Sequence, residues 1–129
     1  MALDAIDSPF EHDIEIEQGS DFALPITLTY DDDTPLPLTG LTIASKLRDF
    51  FGTGSTVLVT FTCNILNAAA GQFEIRLTKV QTAALTRPAG AAATERITSL
   101  GVYDIELSDG TYTYRYIQGK ATLSAEATY

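Results

Sequence analysis

Apolar and polar residues alternate with a period of two along most of this chain, the spacing at which successive strand side chains face opposite ways. Ile14 and Ile16 alternate with Asp13, Glu15 and Glu17. Phe22, Leu24, Ile26, Leu28 and Tyr30 share one parity in the next run. Leu41, Ile43 and Leu47 share another, with Lys46 and Arg48 opposite. Val57, Val59, Phe61 and Cys63 form a fourth set against Thr56, Thr60 and Thr62. Phe73, Ile75 and Leu77 form a fifth, and Tyr103, Ile105 and Leu107 a sixth. Tyr112, Tyr114 and Tyr116 follow, and Ala121, Leu123 and Ala125 come last. The pattern predicts an all-β fold of about eight strands, an antiparallel β-sandwich whose sheets each bury one face. Residues 13–129 read as its single domain and residues 1–12 as an N-terminal arm.

Turn chemistry refines the outline. Asp31, Asp32, Asp33, Thr34 and Pro35 separate the second and third strands, and Ala69, Ala70 and Gly71 lead into the fifth. Pro25 has no N–H to give a ladder, so its strand lies at an edge or bends there. A two-residue turn at Gly19-Ser20 would set Ile16 opposite Ala23 and point Phe22 away from it. A bulge, a longer turn or a crossing to the second sheet must break that register. Asp109-Gly110 suits a two-residue type I′ turn. That turn would set Leu107 opposite Tyr112, Ile105 opposite Tyr114, Tyr103 opposite Tyr116, and Asp104 opposite Arg115. Tyr116 and Leu123 lie an odd number apart, so a bulge is required, with Gly119 its natural place. One helix is expected: Thr78 and Gln81 form a capping box, Val80 and Ala84 share a face beside Leu85, and Arg87-Pro88 ends it. Residues 88–94 are rich in Ala and Gly, lack periodicity and read as a mobile loop.

Composition narrows the function classes. At 129 residues and 45% hydrophobic the chain can bury a core without staples. Its 17 acidic and 8 basic residues give a net charge of −9, which repels nucleic-acid backbones and anionic membrane surfaces. Cys63 is the only cysteine, so no intrachain disulfide can form. The first residues carry no signal-peptide pattern, and no run approaches the ~20 apolar residues of a membrane helix. A soluble protein made in a cytoplasm is the expectation.

No residue set carries evident chemistry. His12 is the only histidine, which rules out a His-based triad or a multi-His metal site and reads as solvated. Cys63 sits on the apolar parity of a strand and reads as an inert thiol. Asp31, Asp32 and Asp33 lack the spacing and glycine of a calcium loop. Asp13, Glu15 and Glu17 line one strand face, where they deter an added strand better than they make a glycosidase cleft. Phe51-Gly52-Thr53-Gly54-Ser55 lacks the lysine of a phosphate loop. The tyrosines of the Asp109-Gly110 hairpin either close the core or form a binding surface. No catalytic, cofactor-binding or metal-binding residue is therefore assigned, no cofactor is expected, and enzymatic activity is not expected. The arm carries Leu3, Ile6, Pro9 and Phe10, which pack either on the domain's own open edge or on a neighbouring subunit. Ile6, Pro9 and Phe10 are the candidate partner-binding residues.

The order of motifs adds a resemblance. Gln18-Gly19-Ser20-Asp21 precedes an apolar strand, followed by Asp-rich and Pro-containing residues and Leu38-Thr39-Gly40-Leu41-Thr42. Gly71-Gln72-Phe73-Glu74-Ile75-Arg76-Leu77-Thr78 and Gln81-Thr82-Ala83-Ala84-Leu85 come next. Gly101-Val102-Tyr103-Asp104-Ile105-Glu106-Leu107, the Asp-Gly turn and Gln118-Gly119-Lys120 complete the series. This order, spanning residues 13–126, resembles small tailed-bacteriophage virion proteins, notably the N-terminal attachment domains of upper baseplate and tail-fibre proteins. The loop from Arg87 to Leu100 is longer than that pattern. The resemblance implies an immunoglobulin-like sandwich with one short helix. It implies a structural role in a baseplate, fibre attachment, neck or capsid decoration, and localisation in a virion assembled in a host bacterial cytoplasm. The implied partners are other virion proteins and further copies of itself, in trimers or rings. A carbohydrate- or receptor-binding module is the alternative function.

Overall fold

Among the described residues, nine strands and one short helix account for the larger part: β1 (Phe10–Glu11), β2 (Ile14–Glu17), β3 (Phe22–Thr27), β4 (Thr42–Arg48), β5 (Val57–Thr60), β6 (Thr62–Asn67), β7 (Gln72–Leu77), α1 (Lys79–Ala83), β8 (Ile97–Ser108) and β9 (Thr113–Ser124). The structure, a computed structural model, describes residues 10–30, 32–87, 90, 92 and 94–127. One sheet has the order β1-β9-β8-β4-β5, with β2 also on β9; the other has the order β3-β7-β6. Antiparallel pairing prevails, but β1 and β2 run parallel to β9, with Phe10 beside Ile117 and Ile14 beside Ala121. This arrangement is that of an immunoglobulin-like sandwich.

The alternation in the sequence is the alternation of burial. On β7, Phe73, Ile75 and Leu77 are buried, while Gln72 and Arg76 are exposed. On β8, Tyr103, Ile105 and Leu107 point inward from the larger sheet. Antibody domains link the sheets by a disulfide packed on a tryptophan. This chain has one cysteine and no tryptophan. It spans the gap with aromatic rings: Phe22 of β3 lies 5.9 Å from Phe61, and Phe61 lies 6.2 Å edge-on from Tyr103 of β8. Such pairs are worth about 0.5–1.5 kcal/mol beyond the area they bury.

Phe61 also divides what the pattern groups as one strand. Val57, Val59, Phe61 and Cys63 do share a parity. The chain nevertheless leaves the larger sheet after Thr60 and joins the smaller one at Thr62, with Phe61 buried at the crossing. A second crossing lies at Gly19-Ser20, the third of the three routes open to that connection. Pro25 sits on an edge strand, as its missing donor requires.

The β8–β9 hairpin departs from the expected register. Ser108 faces Thr113 and Leu107 faces Tyr114, so the loop has four residues rather than two. The Asp109 carboxylate accepts from the N–H groups of Thr111 (2.9 Å) and Tyr112 (2.7 Å), closing a wider turn than type I′. Arg115 therefore faces Glu106, yet its Nε still reaches the Asp104 carboxylate at 3.1 Å along the diagonal. The bulge falls at Tyr116, between the Glu106–Arg115 and Ile105–Ile117 pairs, and not at Gly119.

Gly119 answers a different constraint. A Cβ there would overlap the His12 carbonyl, where the chain passes from β1 to β2 against β9. That carbonyl accepts a 2.5 Å hydrogen bond from the Tyr103 hydroxyl, and the His12 N–H donates to Gln118 at 2.9 Å. The paired edge thus begins at Phe10, inside the stretch read as arm.

Two substitutions test this account. Phe61→Ala should lower unfolding free energy by about 3–5 kcal/mol in urea titrations, against under about 0.5 for the exposed Val80→Ala. Gly119→Ala should raise hydrogen exchange at the amides of β2 well before those of β7; uniform exchange would contradict it.

Candidate functional site

The side chains singled out for chemistry stay apart. Among the described residues no three His, Cys, Asp or Glu side chains converge on a metal-sized site. His12 is exposed and serves the fold through its backbone. Cys63 is half-buried on β6, and burial pushes its thiol above the usual range. Asp32 accepts from the Thr34 N–H and hydroxyl in an exposed turn, bonds that hold its carboxyl below the usual range. Asp31 lies outside the described residues. Desolvation, reinforced by the charges of Asp13 and Glu11, drives the Tyr103 phenol far up and keeps it a neutral donor.

One end of the sandwich is tied by polar bonds. Thr82 is fully buried in α1, its hydroxyl donating to the Ser20 carbonyl (2.8 Å) and accepting from the Gly19 N–H (3.0 Å). Gln18 donates to the Leu85 carbonyl (2.8 Å) and accepts from the Glu126 N–H (3.0 Å). Asp21 accepts from the Lys79 N–H (2.8 Å) at the start of the helix. The capping box of Thr78 and Gln81 forms as expected. The helix face does not: Val80 and Ala84 are exposed, and Thr82 and Leu85 face inward. Hydrogen bonding to the Gly19-Ser20 crossing orients the helix more strongly than its valine does.

Beside this end lies an open cleft of about 860 Å³. It is lined by Gln18, Arg87, Glu95, Arg96 and Glu126 among others, with charges of both signs and no histidine, cysteine or serine. Its groups serve the backbone: Glu95 accepts from Ala92, and Gln18 binds as above. The loop expected over residues 88–94 falls largely outside the described residues.

A second, smaller hollow of about 170 Å³ separates the two sheet edges. Phe10, Leu24, Pro25, Ile26 and Ile117 line it, with His12. Phe10 is 69% exposed although its backbone is held by β9. Of the candidate partner-binding residues, Ile6 and Pro9 lie outside the described residues. Among the hairpin tyrosines only Tyr103 is fully buried; Tyr114 and Tyr116 are half-buried, and Tyr112 is exposed with its ring stacked 6.3 Å from Tyr114.

Sequence reasoning passed over a further set of exposed apolar residues: Phe50, Phe51, Val57, Leu58, Ile65 and Leu66. Their signal was legible. They form three adjacent pairs, Phe50-Phe51, Val57-Leu58 and Ile65-Leu66; a period of two turns one member of a strand pair outward, and both are exposed here, with bulges at Leu58 and Leu66.

No family model matches the sequence, and no curated protein matches it. Solved structures similar to it include an extracellular domain of the voltage-gated sodium channel beta4 subunit, from work on parallel homodimers in cell-cell adhesion. It is 10% identical, covers 97% of this chain and 99% of that chain, and has a TM-score of 0.44. A chain of the ZIG-8–RIG-5 IG1-IG1 heterodimer is 12% identical over 96% and 90%, with a TM-score of 0.42. The second Ig domain of the mouse polymeric immunoglobulin receptor is 6% identical over 95% and 100%, with a TM-score of 0.41. Such values transfer no activity and no partner to this chain.

The raised thiol pKa has a direct readout. Less thiolate at pH 8 means that Cys63 should alkylate with iodoacetamide more slowly than a free thiol. Equal rates would show a thiol that burial does not shield.

Proposed function

We propose that this chain is a structural subunit of a tailed-bacteriophage virion, acting by protein–protein contact and without a catalytic role. The observation that carries the contact reading is Phe10. A large apolar ring, 69% exposed, is fixed on a hydrogen-bonded edge strand beside an apolar hollow, in the same arm that carries Ile6 and Pro9. Exposed aromatic side chains on rigid backbone are the usual anchors of interfaces. The phage reading rests on motif order alone. Two motifs of that order, Gln18-Gly19-Ser20-Asp21 and Gln81-Thr82-Ala83-Ala84-Leu85, meet at one end through bonds from Gln18 to Leu85 and between Thr82 and the Gly19-Ser20 turn.

A second reading, a carbohydrate- or receptor-binding module, has the exposed Tyr112–Tyr114 stack in its favour.

Co-expression with the products of adjacent reading frames separates the two. The full chain should co-purify with a tail or capsid protein, and Ile6→Ser or Phe10→Ser should weaken that complex about tenfold or more, the loss of one anchor. Binding to a glycan array, abolished by Tyr112→Ala, would favour the module. Metabolic neighbours with no complex formed would overturn the virion reading.

A further inference from the structure

We infer that Arg115 is a positioning residue for the Phe10 contact: through Gln118 and Glu11 it holds β1 in place and fixes the direction in which Phe10 is presented. The inference deepens the reading that Phe10 anchors a partner, and rests on it.

The Tyr116 bulge makes this possible. On a regular strand, side chains two apart share a face and side chains three apart face opposite ways. Arg115 and Gln118 are three apart. The extra residue between the Glu106–Arg115 and Ile105–Ile117 pairs shifts the parity, so both reach the outer face of the larger sheet. There the Arg115 guanidinium donates from Nη1 to the Gln118 side-chain oxygen (3.3 Å) and from Nε to the Asp104 carboxylate (3.1 Å). Gln118 in turn donates from Nε2 to the Glu11 carboxylate at 2.7 Å. A relay of side chains thus runs from β8 across β9 to β1.

β1 depends on that tie. It has two residues and pairs with β9 alone. From His12 onward the chain is held through backbone groups. The His12 N–H donates to the Gln118 carbonyl, the His12 carbonyl accepts from the Tyr103 hydroxyl, and the Lys120 N–H donates to the Asp13 carboxylate (2.9 Å). Among the described residues, the bond from Gln118 to Glu11 is the one side-chain hydrogen bond that β1 makes. Neighbouring strand residues face opposite ways. A Glu11 fastened on the outer face therefore leaves Phe10 directed at the other, where the apolar hollow lies.

The chemistry at 118 and 115 suits the task. An amide accepts on its oxygen and donates from its nitrogen, so it can join a guanidinium to a carboxylate. A carboxylate at 118 would keep the first bond and repel Glu11. The guanidinium is backed by the Phe51 ring, whose centre lies 6.0 Å from Cζ. Phe51 belongs to a loop closed at its base, where the Thr56 N–H donates to the Asp49 carboxylate (2.8 Å) and the Asp49 N–H to the Thr56 carbonyl (3.2 Å). Backing of this kind narrows the rotamers of a long side chain, so less freedom is lost when the relay forms.

Hydrogen exchange and backbone order parameters of the full chain, read by NMR, test this. In Arg115→Ala and in Gln118→Glu the His12 amide should exchange about fivefold faster or more, and order at Phe10 and Glu11 should fall, while amides of β2 and β7 keep wild-type rates. Glu11→Lys added to Gln118→Glu puts opposite charges in place and should bring the rates back, a rescue that plain damage to the fold would not show. Arg115→Ala should also weaken the complex with a tail or capsid protein about fivefold, and the double variant should recover it relative to Gln118→Glu. Unchanged exchange at His12 in both variants, or an equal rise in β2 and β7, overturns the inference. So does a complex that Phe10→Ser weakens and Arg115→Ala leaves alone. A relay upheld by exchange while Phe10→Ser leaves the complex intact keeps the hold on β1 and removes the Phe10 contact on which the inference rests.

Discussion

Three rings in contact, Phe22, Phe61 and Tyr103, join the two sheets where a covalent bridge stands in antibody domains. The rest of the structure depends on that contact. Phe61 is the residue at which the chain changes sheets, so its burial fixes where β5 ends and β6 begins. Tyr103 ends the chain of rings in a hydroxyl, and that hydroxyl fixes His12 and through it the N-terminal edge. Inter-sheet packing and edge closure are therefore coupled through one side chain. An apolar ring at 103 would keep the first and lose the second.

The same economy governs the polar ties. Thr82 sits in a five-residue helix too short to persist alone. Its hydroxyl is satisfied by both sides of the Gly19-Ser20 turn, which crosses between sheets. Helix and crossing thus specify each other, and the charged groups of the nearby cleft hold backbone in place.

Much of this was legible from local rules. Pro25 marks an edge because it lacks a donor; Thr78 and Gln81 cap a helix because their side chains reach their own backbone. What escaped depends on residues distant in sequence. Phe61 carries no mark of a sheet change, since its parity suits a continuous strand. The Tyr116 bulge follows from the Asp109 loop and the β8 register together, and parity alone could only say that a bulge exists. Gly119 looked like its place because glycine tolerates bulges, whereas the packing of His12 accounts for it. Thr82 outranked Val80 on the helix because hydrogen bonding at a tertiary contact is invisible to hydrophobic periodicity. At the surface, Phe10 stood out in the sequence as an apolar residue in a segment with no strand pattern. The exposed β5 and β6 residues hid inside strands that otherwise alternate well.

The parallel pairing of β2 with β9 has a bearing on biosynthesis. Ile14 lies beside Ala121, a separation of 107 positions. During translation the partner of β2 does not yet exist while nearly everything else is being made. Contacts of such separation form late, after local hairpins such as β6–β7. Ile14 and Ile16, both buried in the finished sheet, must wait in solvent for that interval. Asp13, Glu15 and Glu17 surround them, so the waiting segment carries its own charge against clumping on the ribosome.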